Sequence, residues 1–151
     1  MRQAVFFLLA ATAAFAQKYD GPRPPKPDIL YLVHADNLIP TESTEARQEK
    51  STFIVTGDSS PSRTPLAEPI FLMQADKIQP QSLELYKFEV KGGKREVNIS
   101  SHRSRGSKVL RLTVTPLEGN LYRIEADEEL ENGEYVLSPE GSNAVFCFEV
   151  Y

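Results

Sequence analysis

Three groups of residues carry the chemistry this sequence offers. His34 and Asp36 stand two apart in Val33-His34-Ala35-Asp36; on an extended strand that spacing puts an imidazole and a carboxylate on one face, as in a metal ligand pair or an acid–base couple. Ser59 follows Phe53-Ile54-Val55-Thr56-Gly57-Asp58, where an apolar strand would deliver a hydroxyl at a glycine turn. Lys94, Arg95, His102, Arg103, Arg105 and Lys108 gather positive charge. Between Lys91 and Arg111 seven Lys or Arg face one acid, Glu96, whereas Leu117 to Tyr151 holds nine acids and one Arg. A charge distribution this uneven suits an anionic surface or a protein partner at the basic loop.

An internal repeat bears on the first group. Leu30-Tyr31-Leu32-Val33-His34-Ala35-Asp36-Asn37-Leu38-Ile39-Pro40 lines up with Ile70-Phe71-Leu72-Met73-Gln74-Ala75-Asp76-Lys77-Ile78-Gln79-Pro80, with four positions identical and four conservative. Phe53, Val55 and Gly57 then match Phe88, Val90 and Gly92, so each unit, 30–57 and 70–92, reads strand, Ala-Asp loop, strand. His34 is replaced by Gln74 in the second copy. Glutamine neither titrates nor binds metal well, so what the copies share is a polar side chain followed by an Asp suited to hold backbone amides at a strand end. The expectation is therefore a structural role for Asp36 and Asp76.

The block Gly57-Asp58-Ser59 after a strand resembles the nucleophile block of the GDSL esterases, a resemblance that implies Ser59 as nucleophile. It covers only these residues. The chain lacks the alternation of strand and helix of that family, and His102 does not stand in its C-terminal Asp-x-x-His pair. A small secreted hydrolase using Ser59 or His34 and Asp36 stands as the alternative reading. Gly-x-Ser-x-Gly, His-Glu-x-x-His and Cys-x-x-Cys are absent, and two histidines with one cysteine give little for a soft metal. The acidic run Asp127, Glu128, Glu129, Glu131 lacks the spaced ligands and glycine of a calcium loop. No cofactor and no metal are expected. Nucleic acid is not expected either, since the basic loop has no aromatic residue for base stacking.

These residues must be positioned by strands. From Ile29 on, short β-branched, aromatic and leucine runs alternate with Pro, Gly, Asn and Ser. Strands are predicted near 29–35, 52–56, 69–75, 84–91, 95–100, 108–115, 121–126, 134–138 and 144–150. Gly92 and Gly93 supply the positive φ of a two-residue hairpin. Thr41 to Lys50 has helical composition without an apolar stripe and reads equally as a solvated loop. In 144–150, alternation puts Phe146, Phe148 and Val150 on one face and Val145, Cys147 and Glu149 on the other, with Cys147 filling part of a sheet face rather than bridging two chains.

Arg2, the apolar stretch Ala4 to Phe15 and Ala14-Phe15-Ala16 have the pattern of a cleavable signal peptide, residues 1–16. That stretch falls short of the about 20 apolar residues that span a bilayer, and no transmembrane segment is expected after cleavage. Residues 17–28, with Pro22, Pro24, Pro25 and Pro27, read as an extended spacer. The closing Gly133-Glu134-Tyr135-Val136-Leu137-Ser138-Pro139 with Val145 to Tyr151 resembles the last strands of small exported bacterial β-sandwich proteins of no assigned function. The expectation is thus an all-β protein. It is an antiparallel sandwich of immunoglobulin-like class over 29–151 containing the duplicated unit. It is exported to a periplasm or the medium, is not an enzyme, and binds an envelope protein or an acidic polysaccharide.

Overall fold

The computed structural model describes residues 18–100 and 107–151. The strands are β1 (Tyr31–His34), β2 (Asn37–Pro40), β3 (Glu42–Glu45), β4 (Arg47–Glu49), β5 (Thr52–Thr56), β6 (Arg63–Thr64), β7 (Ile70–Gln74), β8 (Leu83–Lys87), β9 (Glu89–Lys91), β10 (Lys94–Asn98), β11 (Leu112–Pro116), β12 (Leu121–Ala126), β13 (Gly133–Pro139) and β14 (Ala144–Val150), with one 3-10 turn at Pro80–Ser82. They form three sheets. The first runs β11-β12-β7-β1-β2, the central one β3-β14-β13-β8, and the third β4-β5-β10-β9. All neighbours are antiparallel except β6, which lies parallel to β14. Among the described residues no helix is long and apolar enough to cross a membrane.

The central sheet is buried on both faces, and its sequence shows why. β13 and β14 are almost continuously apolar, the composition of a strand with no wet side. Leu85, Tyr135, Leu137, Phe146 and Phe148 meet Leu32, Phe71, Met73 and Ile124 of the first sheet in one core. Phe148 anchors it, edge-on to Phe71 at 5.0 Å and stacked on Tyr135 at 5.5 Å. The opposite face contributes Tyr86, Val136, Val145 and Cys147 to a second core with Phe53, Val55 and Val97 of the third sheet. The alternation read in 144–150 thus separates two cores, rather than a core from solvent.

Two strands change sheets partway along. The run expected as a single strand over 84–91 is divided at the buried Phe88, with β8 in the central sheet and β9 in the third. Thr41 to Lys50, expected as helix or loop, instead forms β3 on β14 and β4 on β5, turning at the buried Ala46. Its inward residues, Glu42, Ala46 and Gln48, are too few and too polar to show as an apolar stripe, so edge pairing decided the conformation. The two corners join the sheets into a ring of strand pairings: β3/β4, β14, β13, β8/β9, β10, β5 and back to β4. The second core fills the interior of this barrel-like ring.

The first strands of the two units expected as a repeat lie side by side. β1 pairs with β7, Tyr31 opposite Leu72 and Leu32 opposite Phe71. Their loops then diverge: Ala35 (φ +53°) and Asp36 make a tight turn into β2, whereas residues 75–79 lead to the 3-10 turn. Among the described residues neither Asp36 nor Asp76 holds a backbone amide, contrary to the expectation. Asp28 does so, its carboxylate accepting from the N–H groups of Asp76, Lys77 and Ile78 at 2.9–3.1 Å. Over its described part, the segment expected as a spacer is also tied down. Arg23 pairs with Glu118 at 2.7 Å, the Tyr19 N–H donates to the same carboxylate, and Pro27 bridges to Gln74.

Candidate functional site

The ring has two ends. Inward-facing side chains follow the two-residue period of each strand, so Arg95-Val97-Ile99, Glu134-Val136-Ser138 and Glu84-Tyr86-Phe88 each run from one end to the other.

The first end is closed by ion pairing. The Arg95 side chain is 1% exposed; its Nη1 and Nη2 donate to the Glu42 carboxylate at 2.6 and 3.2 Å, and Nε and Nη2 to the Gly57 and Thr56 carbonyls at 2.9 Å each. Glu134 Oε1 lies 3.8 Å from Nη1 and accepts the Ser60 N–H. Ser60 Oγ donates to the Cys147 carbonyl at 3.2 Å. Gly57 (φ +95°) puts its carbonyl in reach of Arg95 through a backbone conformation that disfavours other residues. Burial pushes the Glu134 carboxyl up, against the lowering by the Ser60 N–H and Arg95. Burial likewise raises the Cys147 thiol to about 12, with the Glu42 carboxylate adding to the shift. With four of five guanidinium N–H groups on protein acceptors, this end is a structural plug.

The second end is open among the described residues. There the walls splay into a cleft of about 840 Å³, lined by Phe53, Tyr86, Ile99, Val109 and Pro139, by Gln48, Glu84 and Glu140, by Ser100, Ser107, Ser138 and Ser142, and by Lys108 and Gly141. The apolar side chains continue the second core outward and the carboxylates stand toward the rim. The Tyr86 hydroxyl donates to the Glu84 carboxylate in a short hydrogen bond. Burial first, then that carboxylate, push the phenol well above its usual range, so it stays protonated. Ser138 Oγ is committed to the Ser142 and Ala144 carbonyls.

The residues singled out in the sequence are dispersed by this fold. Arg95 is the main correction. It was expected to help bind an anionic partner, but it shares the inward face of β10 with Val97, and its charge is spent on Glu42 and Glu134. Lys94 lies 3.8 Å from Glu96, and Lys108, 77% exposed at the cleft rim, lies 3.5 Å from Glu128. His102, Arg103 and Arg105 lie outside the described residues, as does the signal peptide expected at 1–16. His34 ends β1 and Asp36 lies in the following turn, so they do not share a strand face. Ser59 is exposed in the loop after β5, on the third sheet, while His34 belongs to the first. Among the described residues no three His, Cys, Asp or Glu side chains are placed to hold a metal.

The cleft itself escaped sequence reading because its two walls come from strands distant in the chain, brought together at the corners Ala46 and Phe88. A signal for the plug was present: at a spacing of two, Arg95 shares a strand face with Val97 and Ile99, and Glu134 with Val136, so both charges fall on apolar faces. The chain matches no protein-family profile, no curated protein and no solved structure.

Proposed function

We propose that this chain is an exported, non-enzymatic binding module that holds its ligand in the open end of the strand ring. The observation that carries the reading is the cleft of about 840 Å³, whose apolar walls and polar rim suit a bound ligand. The opposite end is filled by a self-satisfied ion cluster, so the ring is a rigid support rather than a channel. Export is proposed from the signal-peptide pattern of residues 1–16. We read the fold as a sandwich of immunoglobulin-like class, supported by the face-to-face packing of the first and central sheets. The pairing of β1 with β7 supports the duplicated unit.

The test is capture on tagged mature protein from envelope and medium fractions, comparing wild type with Ile99→Trp, which fills the cleft from its wall, and Val109→Trp at the rim. A stoichiometric ligand lost from both variants, each folded by circular dichroism, is the expected result. Retention of that ligand by both variants would place binding elsewhere. Arg103→Glu/Arg105→Glu runs alongside: if the ligand and retention on heparin-like resin depend on this pair alone, the partner is an acidic polysaccharide or similar anion met by the basic loop.

A further inference from the structure

We infer that the cleft selects a cationic amphiphile, a ligand with an apolar body and a protonated amine or guanidinium; this rests on the cleft being the binding site. The Tyr86 hydroxyl proton is given to Glu84, the Ser138 hydroxyl to two carbonyls, and the Lys108 ammonium faces Glu128 at 3.5 Å. Glu140 receives no donor among the described residues, and Glu84 uses Oε2 for Tyr86, leaving Oε1. The hydrogen-bonding capacity left on the two carboxylates is therefore acceptor capacity, and a carboxylate beside an apolar wall is best satisfied by a charged N–H donor.

Depth sets the orientation. Tyr86 and Phe53 belong to the second core, whereas Glu84 is one inward position farther out along β8, and Glu140 lies beyond the end of β13. The apolar body enters first, against Phe53, Tyr86 and Ile99, and the cation stays at the rim. Among the described residues, an anionic ligand would set its charge against two carboxylates, so this part of the rim discriminates by repulsion as well as attraction. The cation is carried either by a small amine or by a lysine or arginine side chain of a partner.

Titration calorimetry of the mature protein with n-octylamine, n-octanol, n-octanoate and a blocked Leu-Lys amide tests this. Octylamine should bind more tightly than octanol or octanoate. Glu84→Gln/Glu140→Gln should erase that preference, about three- to tenfold, without changing the thermal midpoint by more than a few degrees. Tighter binding of Leu-Lys amide than octylamine, with the same dependence on Glu84 and Glu140, supports the inference and assigns the cation to a partner chain. Equal binding of the three octyl compounds overturns it, as does a preference for the amine that survives in the double variant. If no probe binds while Ile99→Trp still removes the captured ligand, this inference fails and the binding-site reading stands.

Discussion

Arg95 Nη1 lies 2.6 Å from Glu42 Oε1, so one buried cation on the third sheet holds an edge strand of the central sheet. With Glu134 at 3.8 Å and the Gly57 and Thr56 carbonyls completing the shell, β10, β3, β13 and the loop after β5 meet at one side chain. Without that link, the third sheet would be held to the central one by the second core and the corners at Ala46 and Phe88.

Arg95→Met should cost about 3–5 kcal/mol, because it leaves Glu42 and Glu134 facing a site without their cation. Adding Glu42→Gln and Glu134→Gln should recover much of the loss, since neutral side chains can share hydrogen bonds there. Urea denaturation of the single and triple variants checks this. A triple variant no more stable than Arg95→Met would mean that the guanidinium hydrogen bonds to Gly57 and Thr56 matter more than charge.

Glu134 gives a pH dependence of defined sign. Its folded-state pKa is raised by burial, so its favourable contribution is full below the unfolded value near 4.5 and is lost as pH rises through the folded value. Glu134→Gln retains an acceptor for the Ser60 N–H and removes this dependence. Relative to wild type, the variant should therefore gain stability on going from pH 4 to pH 7. Parallel stability curves over that range would contradict it.

Asp28 has the opposite sign. Its slight burial opposes ionisation, but the N–H groups of Asp76, Ile78 and Lys77 outweigh it and hold the carboxyl below the usual 3.8. Its contribution is present above that value and fades as pH falls through the folded-state one. Asp28→Ala should cost about 1 kcal/mol at pH 7, comparable to losing a helix-capping side chain, and the difference from wild type should shrink below pH 4. Asp28→Asn should cost less, since asparagine tolerates the φ of +56° and keeps one acceptor.

Cys147 should be inert in the folded protein. Its side chain is inaccessible in the second core and its thiol is raised to about 12, so the reactive thiolate is scarce at neutral pH. Labelling by a thiol reagent should proceed at the rate of unfolding and become immediate in denaturant. Fast labelling under native conditions would show that the ring opens locally at β14.

How much of this was legible in the sequence can be judged from single elements. The Gly92–Gly93 turn lies where the glycine pair put it, with φ +54° and +77°, because a two-residue hairpin turn is a local demand on backbone conformation. The two faces of 144–150 were also legible, as was the all-β character, since both follow from a period of two. The strand in Thr41 to Lys50 was not, because its edge pairing with β14 and β5 owes nothing to its own apolar content. Nor was the capping role of Asp28, whose partners lie 48 to 50 residues away.

By itself, then, the sequence determined local things: strands, turns and the two faces of each strand. The tertiary structure decided which faces meet. Arg95 has the same alternation whether its face is wet or dry; only closure of the ring through Ala46 and Phe88 buries it against Glu42 and Glu134. The same closure leaves Glu84 and Glu140 at an open cleft, because burial is a property of the far wall, and that wall comes from strands distant in the chain.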